Sequence, residues 1–123
     1  MATIVDIDDT LLRNGTQPIQ RVIDYVNALP GRIIIVTGRP ESTRANTVRA
    51  LRSAGVKYSR LIMNPYSTSE SNKHKAEVAR RLRSQVDLAI DNDEGARAAY
   101  RSAGIPAKNP STIPDMKKFW TLT

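Results

Sequence analysis

Apolar residues along the chain fall into four short, uninterrupted runs, and longer stretches of mixed character separate them. The runs cover residues 3–5, 33–36, 61–63 and 88–90, and they are rich in isoleucine and valine. Runs of this kind are typical of strands that are buried on both faces, as in a parallel sheet. A fifth, short strand is predicted near residues 105–108.

The stretches between the runs have the spacing of amphipathic helices. In residues 18–31 apolar side chains recur at helical intervals, after Pro18 in the expected first turn and before a Pro-Gly stop, which predicts a helix of about three turns. In the next stretch, Ala45, Val48 and Leu51 fall on one side of a second predicted helix. Helices are predicted over residues 40–55, 74–82 and 94–104, and polar loops over residues 64–72 and 108–114.

The alternation of strands and helices predicts the fold class. It predicts a single Rossmann-like α/β domain that spans residues 1–123. This domain would have three α/β/α layers, with a parallel sheet of about five strands, right-handed crossovers and minimal or no cap. A chain of 123 residues fits one such domain. The C-terminal sequence KKFWTLT holds the only Phe and the only Trp, and we expect these aromatic rings to dock on the core.

Composition excludes several classes of protein. No stretch approaches the roughly 20 apolar residues of a membrane-spanning helix. The first residues lack the basic and apolar segments of a secretory signal, so a cytoplasmic location is expected. The absence of cysteine excludes disulfides, thiolate metal sites and cysteine nucleophiles. The glycine-rich motifs of P-loop kinases and dinucleotide-dependent dehydrogenases are also absent from the sequence.

The charge distribution is uneven. The chain has 19 Lys and Arg against 12 Asp and Glu, a formal net charge of +7. Half of the acids fall in two short clusters, which comprise Asp6, Asp8, Asp9, Asp91, Asp93 and Glu94. A basic shell around concentrated acids suggests anionic partners outside and cations within. Lysines and arginines that merely solubilise the protein would give the same balance.

Both acidic clusters follow predicted strands, where the ligand crevice of an open parallel sheet lies. Alternation along an extended backbone would send the side chains of Asp6 and Asp8 to the same side, and Asp91 follows the fourth apolar run. Oxygen ligands without histidine or cysteine suit Mg²⁺, so these three aspartates are the predicted metal ligands. The alternative for Asp91 or Asn92 is a structural role as the N-cap of the next helix.

Three motifs resemble those of the haloacid dehalogenase (HAD) superfamily of phosphotransferases. DIDDTLL has the form D-x-D-x-T-[LV] of its first motif, and IIIVTGR and DLAIDN resemble its second and fourth motifs. Within the superfamily, the segments VTGRPES, LIMNP, KAEV and VDLAIDNDEGARAAYRSAGIPA look most like the 3′-phosphatase domain of phage polynucleotide kinase-phosphatases. The resemblance covers essentially the whole chain.

The resemblance implies roles for the residues of these motifs. Asp6 would attack phosphorus to form an aspartyl-phosphate, and Asp8 would act first as general acid and then as general base. Thr37 would bind phosphoryl oxygens. A lysine would balance the remaining negative charge, with Lys75 favoured over Lys73 because KAEV resembles the start of the corresponding family helix. The implied substrate-binding residues are Thr10, Gly38, Arg39 and Lys73.

The sequence departs from the family pattern at two positions. Asn64 stands where those enzymes often carry an arginine, and Asn92 replaces the second Asp of their Asp-Asp pair. Either Asp93 or Glu94 could supply the missing carboxylate, or could favour the N-terminus of the next helix through its dipole. His74 is the only histidine, and no motif assigns it a role.

The predicted function is Mg²⁺-dependent phosphomonoester hydrolysis through an aspartyl-phosphate, with nucleic-acid 3′-phosphate ends as the predicted substrate. One alternative is a phosphatase of free nucleotides or small phosphorylated metabolites. Another is a catalytically silent HAD fold that binds nucleic acid or protein through its basic surface. The presence of both Asp6 and Asp8 argues against the silent fold.

Overall fold

Strands and helices alternate along the chain and build one central parallel sheet. The computed structural model describes residues 1–115, and the predicted docking of the KKFWTLT segment lies outside these residues. In chain order the elements are β1 (Ala2–Val5), β2 (Leu12–Arg13), β3 (Gln17–Pro18), α1 (Gln20–Asn27), β4 (Arg32–Pro40), α2 (Arg44–Ser53), β5 (Arg60–Asn64), α3 (Ser71–Leu82), β6 (Val86–Ile90), α4 (Glu94–Ser102) and β7 (Ala107–Lys108). Short 3₁₀ helices occupy Glu41–Thr43, Thr68–Glu70 and Pro110–Thr112.

The strands of the sheet are ordered β5-β4-β1-β6-β7, and every adjacent pair is parallel. Strand β1 is central, with Val5 opposite Ile35 of β4 on one side and opposite Ile90 of β6 on the other. From β1 the chain adds β4 and β5 on one side and then crosses to add β6 and β7 on the other. The carboxyl ends of β1 and β6 therefore flank the point where the strand order reverses, which is where open α/β sheets bind ligands.

The helices cover both faces of the sheet. Helices α1 and α2 bury Ile23 and Leu51 in a cluster with Ile35 on one face. Helices α3 and α4 pack on the other face, where Tyr100 is buried in a second cluster with Ile4. This arrangement confirms the predicted Rossmann-like α/β fold, with three layers and five parallel strands.

The segment between β1 and α1 differs from the prediction. It forms a small antiparallel hairpin, in which Pro18 of β3 pairs with Leu12 of β2. Pro18 therefore precedes the helix, and α1 begins only at Gln20 and has 8 residues rather than about three turns. Strands of two residues carry no periodicity, so the pattern of apolar residues could not predict the hairpin.

Two other helices also differ from their predicted positions. Helix α2 buries Thr47 and Leu51, whereas Ala45, predicted on its apolar side, is exposed. Helix α3 begins at Ser71, within the segment predicted as a polar loop, because a 3₁₀ turn already precedes it. This earlier start places the first turn of α3 beside Gly38 at the end of β4. None of the helices within residues 1–115 is long and apolar enough to cross a membrane.

Candidate active site

A cleft of about 370 Å³ opens where the strand order reverses. Its lining consists of Asp6, Asp8, Asp9, Gly38, Thr68, Ser69, Ser71, Asn72, Lys75, Asp91, Asn92 and Asp93. The lining thus includes five predicted site residues, and it leaves out Thr10, Thr37, Arg39 and Lys73. Between β1 and α1 the chain inserts only the hairpin β2–β3, so no further domain covers this edge of the sheet within residues 1–115.

A buried ion-pair network lies at the base of the cleft. Asp6 follows β1, Asp91 follows β6, and Lys75 reaches both from α3. Lys75 Nζ donates to Asp6 Oδ1 at 3.0 Å and to Asp91 Oδ2 at 2.7 Å. Asp6, Asp91 and Lys75 are only 5%, 0% and 4% exposed, so little water competes for these bonds. Of the two lysines weighed from the sequence, Lys75 is the one that the fold brings to Asp6.

Two carboxylates share one ammonium, so the network holds excess negative charge away from solvent. Burial, opposed by Lys75 and reinforced by Asp91, raises the pKa of Asp6 to about 7. Burial disfavours the charge of Lys75, but the two carboxylates outweigh this effect and raise the pKa of Lys75 above its ordinary value. A cation placed beside Asp6 would relieve the excess charge and favour the ionised carboxylate.

A tight turn after β1 orients the Asp6 carboxylate. The backbone N–H groups of Thr10 and of the two residues that follow it donate to the carbonyl oxygen of Ile7, and Asp9 adopts a positive φ of 59°. The turn brings Thr10 Oγ1 within 3.0 Å of Asp6 Oδ2, to which it donates. Thr10 is fully buried, so in this structure it fixes Asp6 rather than facing the cleft.

The Asp8 carboxylate pairs with Arg39. Arg39 Nε donates to Asp8 Oδ2 at 3.0 Å, and Arg39 Nη2 donates to Asp8 Oδ1 at 2.8 Å. Arg39 also donates to the carbonyl oxygen of Gly15 in the hairpin and to Thr47 Oγ1 in α2. Arg39 therefore ties three elements together and holds Asp8 at the rim of the cleft, where the Asp8 side chain is 51% exposed.

The sequence did not identify one wall of the cleft, which consists of Thr68, Ser69, Ser71 and Asn72. Ser71 packs directly on Gly38, because a Cβ on Gly38 would collide with Ser71 Oγ and would lie 2.9 Å from Ser71 Cβ. Asn64 donates to the carbonyl oxygens of Gly38 and Ser67, which ties this wall to β4. The sequence held one indication of this wall, because these polar residues follow β5 and therefore lie near the carboxyl edge of the sheet.

Asp93 is the N-cap of α4. Its Oδ2 accepts the Ala96 N–H at 2.9 Å, and this hydrogen bond lowers the pKa of Asp93. The cap is therefore neither Asp91 nor Asn92, the two residues for which the sequence left a capping role open. Glu94 lies in the first turn of α4 and is not part of the cleft lining.

Thr37, Lys73 and His74 are not part of the cleft lining. Thr37 is fully buried, and its hydroxyl oxygen accepts the Arg39 N–H at 3.1 Å. Lys73 is exposed and pairs with Glu70 at 3.5 Å. His74 is buried next to Lys75 in the chain but does not line the cleft.

The oxygen donors at the base of the cleft suit a hard divalent cation. Five aspartates and one lysine line the cleft, so its charge is strongly negative. The predicted ligand set is not assembled as expected, because within residues 1–115 no three His, Cys, Asp or Glu side chains converge on one point. Instead, Asp6 Oδ2 and the Asp8 carbonyl oxygen both approach the side-chain amide of Asn92, at 2.9 and 3.0 Å. Carboxylate and carbonyl oxygens of this kind fit Mg²⁺.

Comparison with known proteins supports the α/β fold. No family model and no curated protein matches the sequence. Among solved structures, a chain of the "Pnkp1/Rnl/Hen1 RNA repair complex" matches with a TM-score of 0.68 and 21% sequence identity, over 88% of this chain and 41% of that chain. The protein thus spans less than half the length of that neighbour. At this level of identity, the likeness shows that the two chains share an α/β fold.

Proposed function

We propose that this protein is a Mg²⁺-dependent phosphomonoesterase of the HAD type that acts through an aspartyl-phosphate. The observation that carries the proposal is the buried network of Asp6, Lys75 and Asp91 beneath an open, acidic cleft. A purely structural ion pair needs no surplus carboxylate, whereas a carboxylate nucleophile must be kept reactive and accessible to a cation.

Asp6 is the proposed nucleophile. One carboxylate oxygen attacks phosphorus, the bond from phosphorus to the leaving oxygen breaks, and the phosphoryl group passes to Asp6. Lys75 holds the carboxylate through Oδ1 and Thr10 holds it through Oδ2, so its orientation is set before substrate binds. Water then hydrolyses the aspartyl-phosphate, which releases inorganic phosphate and restores Asp6.

Asp8 is the proposed general acid and base. It donates a proton to the leaving oxygen in the first step and accepts one from the attacking water in the second. The bidentate contact with Arg39 positions its carboxylate at the rim of the cleft. A bound Mg²⁺, held by Asp6 and the Asp8 carbonyl oxygen, would offset the repulsion between the Asp6 carboxylate and the phosphate.

Arg39→Lys is expected to lower kcat by about 10-fold to 100-fold on a phosphomonoester with a poor leaving group, because lysine cannot hold Asp8 in a bidentate contact. The leaving oxygen of an aryl phosphate with a good leaving group needs little protonation, so the decrease in kcat on that substrate should stay below about 3-fold. Steady-state kinetics on both substrates measure the difference. An equal loss on both would indicate that Arg39 contacts the phosphate itself, as the family resemblance implies.

We propose a nucleic-acid end that carries a 3′-phosphate as the substrate. Within residues 1–115 the hairpin is the only insertion between β1 and α1, and a cleft that this part of the chain leaves open suits a bulky substrate. The segment that follows β4 exposes several cations, among them Arg44, Arg49, Arg52, Lys57 and Arg60. The structural neighbour belongs to an RNA repair complex, which supports a role on nucleic acid.

A substrate panel tests this proposal. A 3′-phosphorylated oligonucleotide, a 5′-phosphorylated oligonucleotide and a 3′-mononucleotide are each assayed with Mg²⁺ and with EDTA. We expect the highest kcat/KM on the 3′-phosphorylated oligonucleotide and no turnover in EDTA. Contacts to two to four backbone phosphates would give a log–log salt slope of roughly −1.4 to −2.8, and the mononucleotide should give a flatter slope. Equal efficiencies and slopes would instead favour a phosphatase of small molecules.

Matched double variants locate the cations that contact the oligonucleotide. Arg44 and Arg49 lie in α2, the helix that follows β4, whereas Arg80 lies in the last turn of α3 and Arg83 directly follows that helix. Replacing the first pair with alanine should flatten the salt slope for the oligonucleotide, and replacing the second pair should not. The same effect from both pairs would indicate a diffuse field rather than a binding track.

A further inference from the structure

We propose that a cavity between α2 and β5 binds one nucleotide of a single-stranded nucleic acid, with its base on Tyr58 and its phosphates on Arg52 and Lys57. The inference rests on the nucleic-acid substrate class of the proposed function, and not on the hydrolytic chemistry. It goes further, because it places a second binding site outside the cleft and states how a strand is held there.

The cavity has a size and a lining that suit an anionic ligand with a flat ring. It has a volume of about 370 Å³, and pockets for organic ligands measure about 300–1,000 Å³. The lining belongs to α2 and to the turn between α2 and β5, and it consists of Val48, Arg52, Gly55, Val56, Lys57 and Tyr58. It therefore combines two valines and an aromatic ring with two cations, and none of these residues is acidic.

The turn beneath the cavity is fixed by α1 and β4. The side chain of Asn27, the last residue of α1, donates to the Gly55 carbonyl oxygen at 2.9 Å and accepts the Lys57 N–H at 3.0 Å. Two residues further along, the Ser59 N–H donates to the Ile33 carbonyl oxygen of β4 at 2.8 Å. The backbone is thus already held in place, so binding in the cavity costs little ordering of the chain.

Arg52 and Lys57 carry charges that the described part of the protein does not neutralise. Both side chains are exposed, and within residues 1–115 neither forms an ion pair with a carboxylate. Glu41, which precedes α2, pairs with Arg44 instead. A strand that places phosphates beside the two free cations would release their counterions and those of the strand, which is the main source of affinity for nucleic acid.

Tyr58 supplies a surface for a base. The side chain is partly buried against the apolar cluster between the sheet and helices α1 and α2, and it also lines the cavity. A ring held in this way can stack on any base, because every base has a π-face. The side chains of an acidic peptide would match the two cations but would gain little from the ring, so the lining favours a nucleotide.

The cavity lies away from the cleft along the sheet. Its turn is bonded to Ile33, near the start of β4, whereas Gly38 of the cleft lining lies near the end of β4. These two residues are five positions apart, which corresponds to about 16 Å of extended strand. A nucleic acid with its 3′ end in the cleft would therefore need several nucleotides to reach the cavity, and a mononucleotide could not occupy both sites.

Fluorescence anisotropy with a labelled single strand of about 12 nucleotides tests the inference on the full chain. The strand ends in a 3′-hydroxyl and the buffer contains EDTA, so binding is measured without hydrolysis. Arg52→Ala and Lys57→Ala should each weaken binding by about 3-fold to 10-fold and flatten the log–log salt slope by about 0.7. The matched control is Arg83→Ala, which removes the same charge directly after α3 and should change Kd by less than about 2-fold.

Tyr58→Leu and Tyr58→Phe test the stacking contact. Leucine keeps the apolar packing but removes the ring, so binding should weaken by about 10-fold with an unchanged salt slope, whereas phenylalanine should stay within about 2-fold of the wild-type Kd. The backbone amide signal of Gly55 in NMR spectra should also shift when the strand is added, because Gly55 lines the cavity.

Several results would overturn the inference and leave the proposed hydrolysis standing. These are an unchanged affinity in Tyr58→Leu, an equal loss of affinity in Arg52→Ala and Arg83→Ala, and equally tight binding of an acidic peptide of the same net charge. A wild-type protein that does not bind the strand would overturn it as well. Binding at the cavity by a protein that hydrolyses no phosphomonoester would overturn the proposed function alone.

Discussion

The Asp6→Asn variant is expected to lose phosphomonoester hydrolysis, with kcat reduced by at least about 10⁴-fold. The amide of asparagine is a far weaker nucleophile than a carboxylate and cannot form the acyl-phosphate that water hydrolyses. Release of inorganic phosphate from an aryl phosphate in the presence of Mg²⁺ measures the loss. Turnover near that of the wild-type protein would exclude a covalent mechanism at Asp6.

Urea denaturation of the same variant tests whether its loss of activity results from unfolding. The pKa of Asp6 is about 7 in the folded protein against an ordinary value of 3.8, so the folded state holds this proton more tightly than the unfolded chain. The stability that this proton contributes is therefore complete below pH 3.8 and is lost as the pH rises to about 7. In EDTA at pH 8, Asp6→Asn should be more stable than the wild-type protein toward urea, and the difference should shrink toward pH 4. A variant that is less stable at pH 8 would contradict this account.

The sheet and its functional edge could be predicted because burial on both faces constrains the sequence strongly. The central strand β1 is buried along its whole length, so its residues are apolar or small at successive positions. Where such a run ends in carboxylates, the change in character marks the carboxyl edge. The hairpin β2–β3 lacks any such constraint, because each of its strands has two residues and Arg13 and Gln17 are exposed.

Contacts between distant residues explain why the site could be predicted only in part. The alternation that would send Asp6 and Asp8 to the same side holds only in an extended chain, and the turn around the Ile7 carbonyl oxygen ends the strand. The partner of Asp8 is Arg39, 31 residues away, and no local pattern specifies that pairing. The approach of Asn92 to Asp6 likewise depends on the pairing of β6 with β1.

Lys75→Met is expected to destabilise the metal-free protein by about 3–5 kcal/mol, because it leaves two buried carboxylates without their shared cation. Lys75 opposes the upward shift of the Asp6 pKa, so Asp6 should take up a proton more readily in the variant. The destabilisation should therefore be largest near pH 8 and smaller near pH 5, where the folded variant can protonate Asp6. Urea denaturation in EDTA at the two pH values measures the effect, and hydrolysis should be lost as well.

Lys73→Met is the matched control for Lys75→Met. The Lys73 side chain is 56% exposed and pairs with Glu70 at the surface, so its loss should cost less than about 0.5 kcal/mol and leave activity nearly unchanged. Equal and small effects from the two lysines would move the role to another cation, with Arg39 the next candidate. In an Asp6→Asn background, Lys75→Met should cost less than it does alone, because only Asp91 is then left unpaired. If Lys75→Met lowers the free energy of unfolding equally in the wild-type and Asp6→Asn backgrounds, Lys75 stabilises the fold through Asp91 alone.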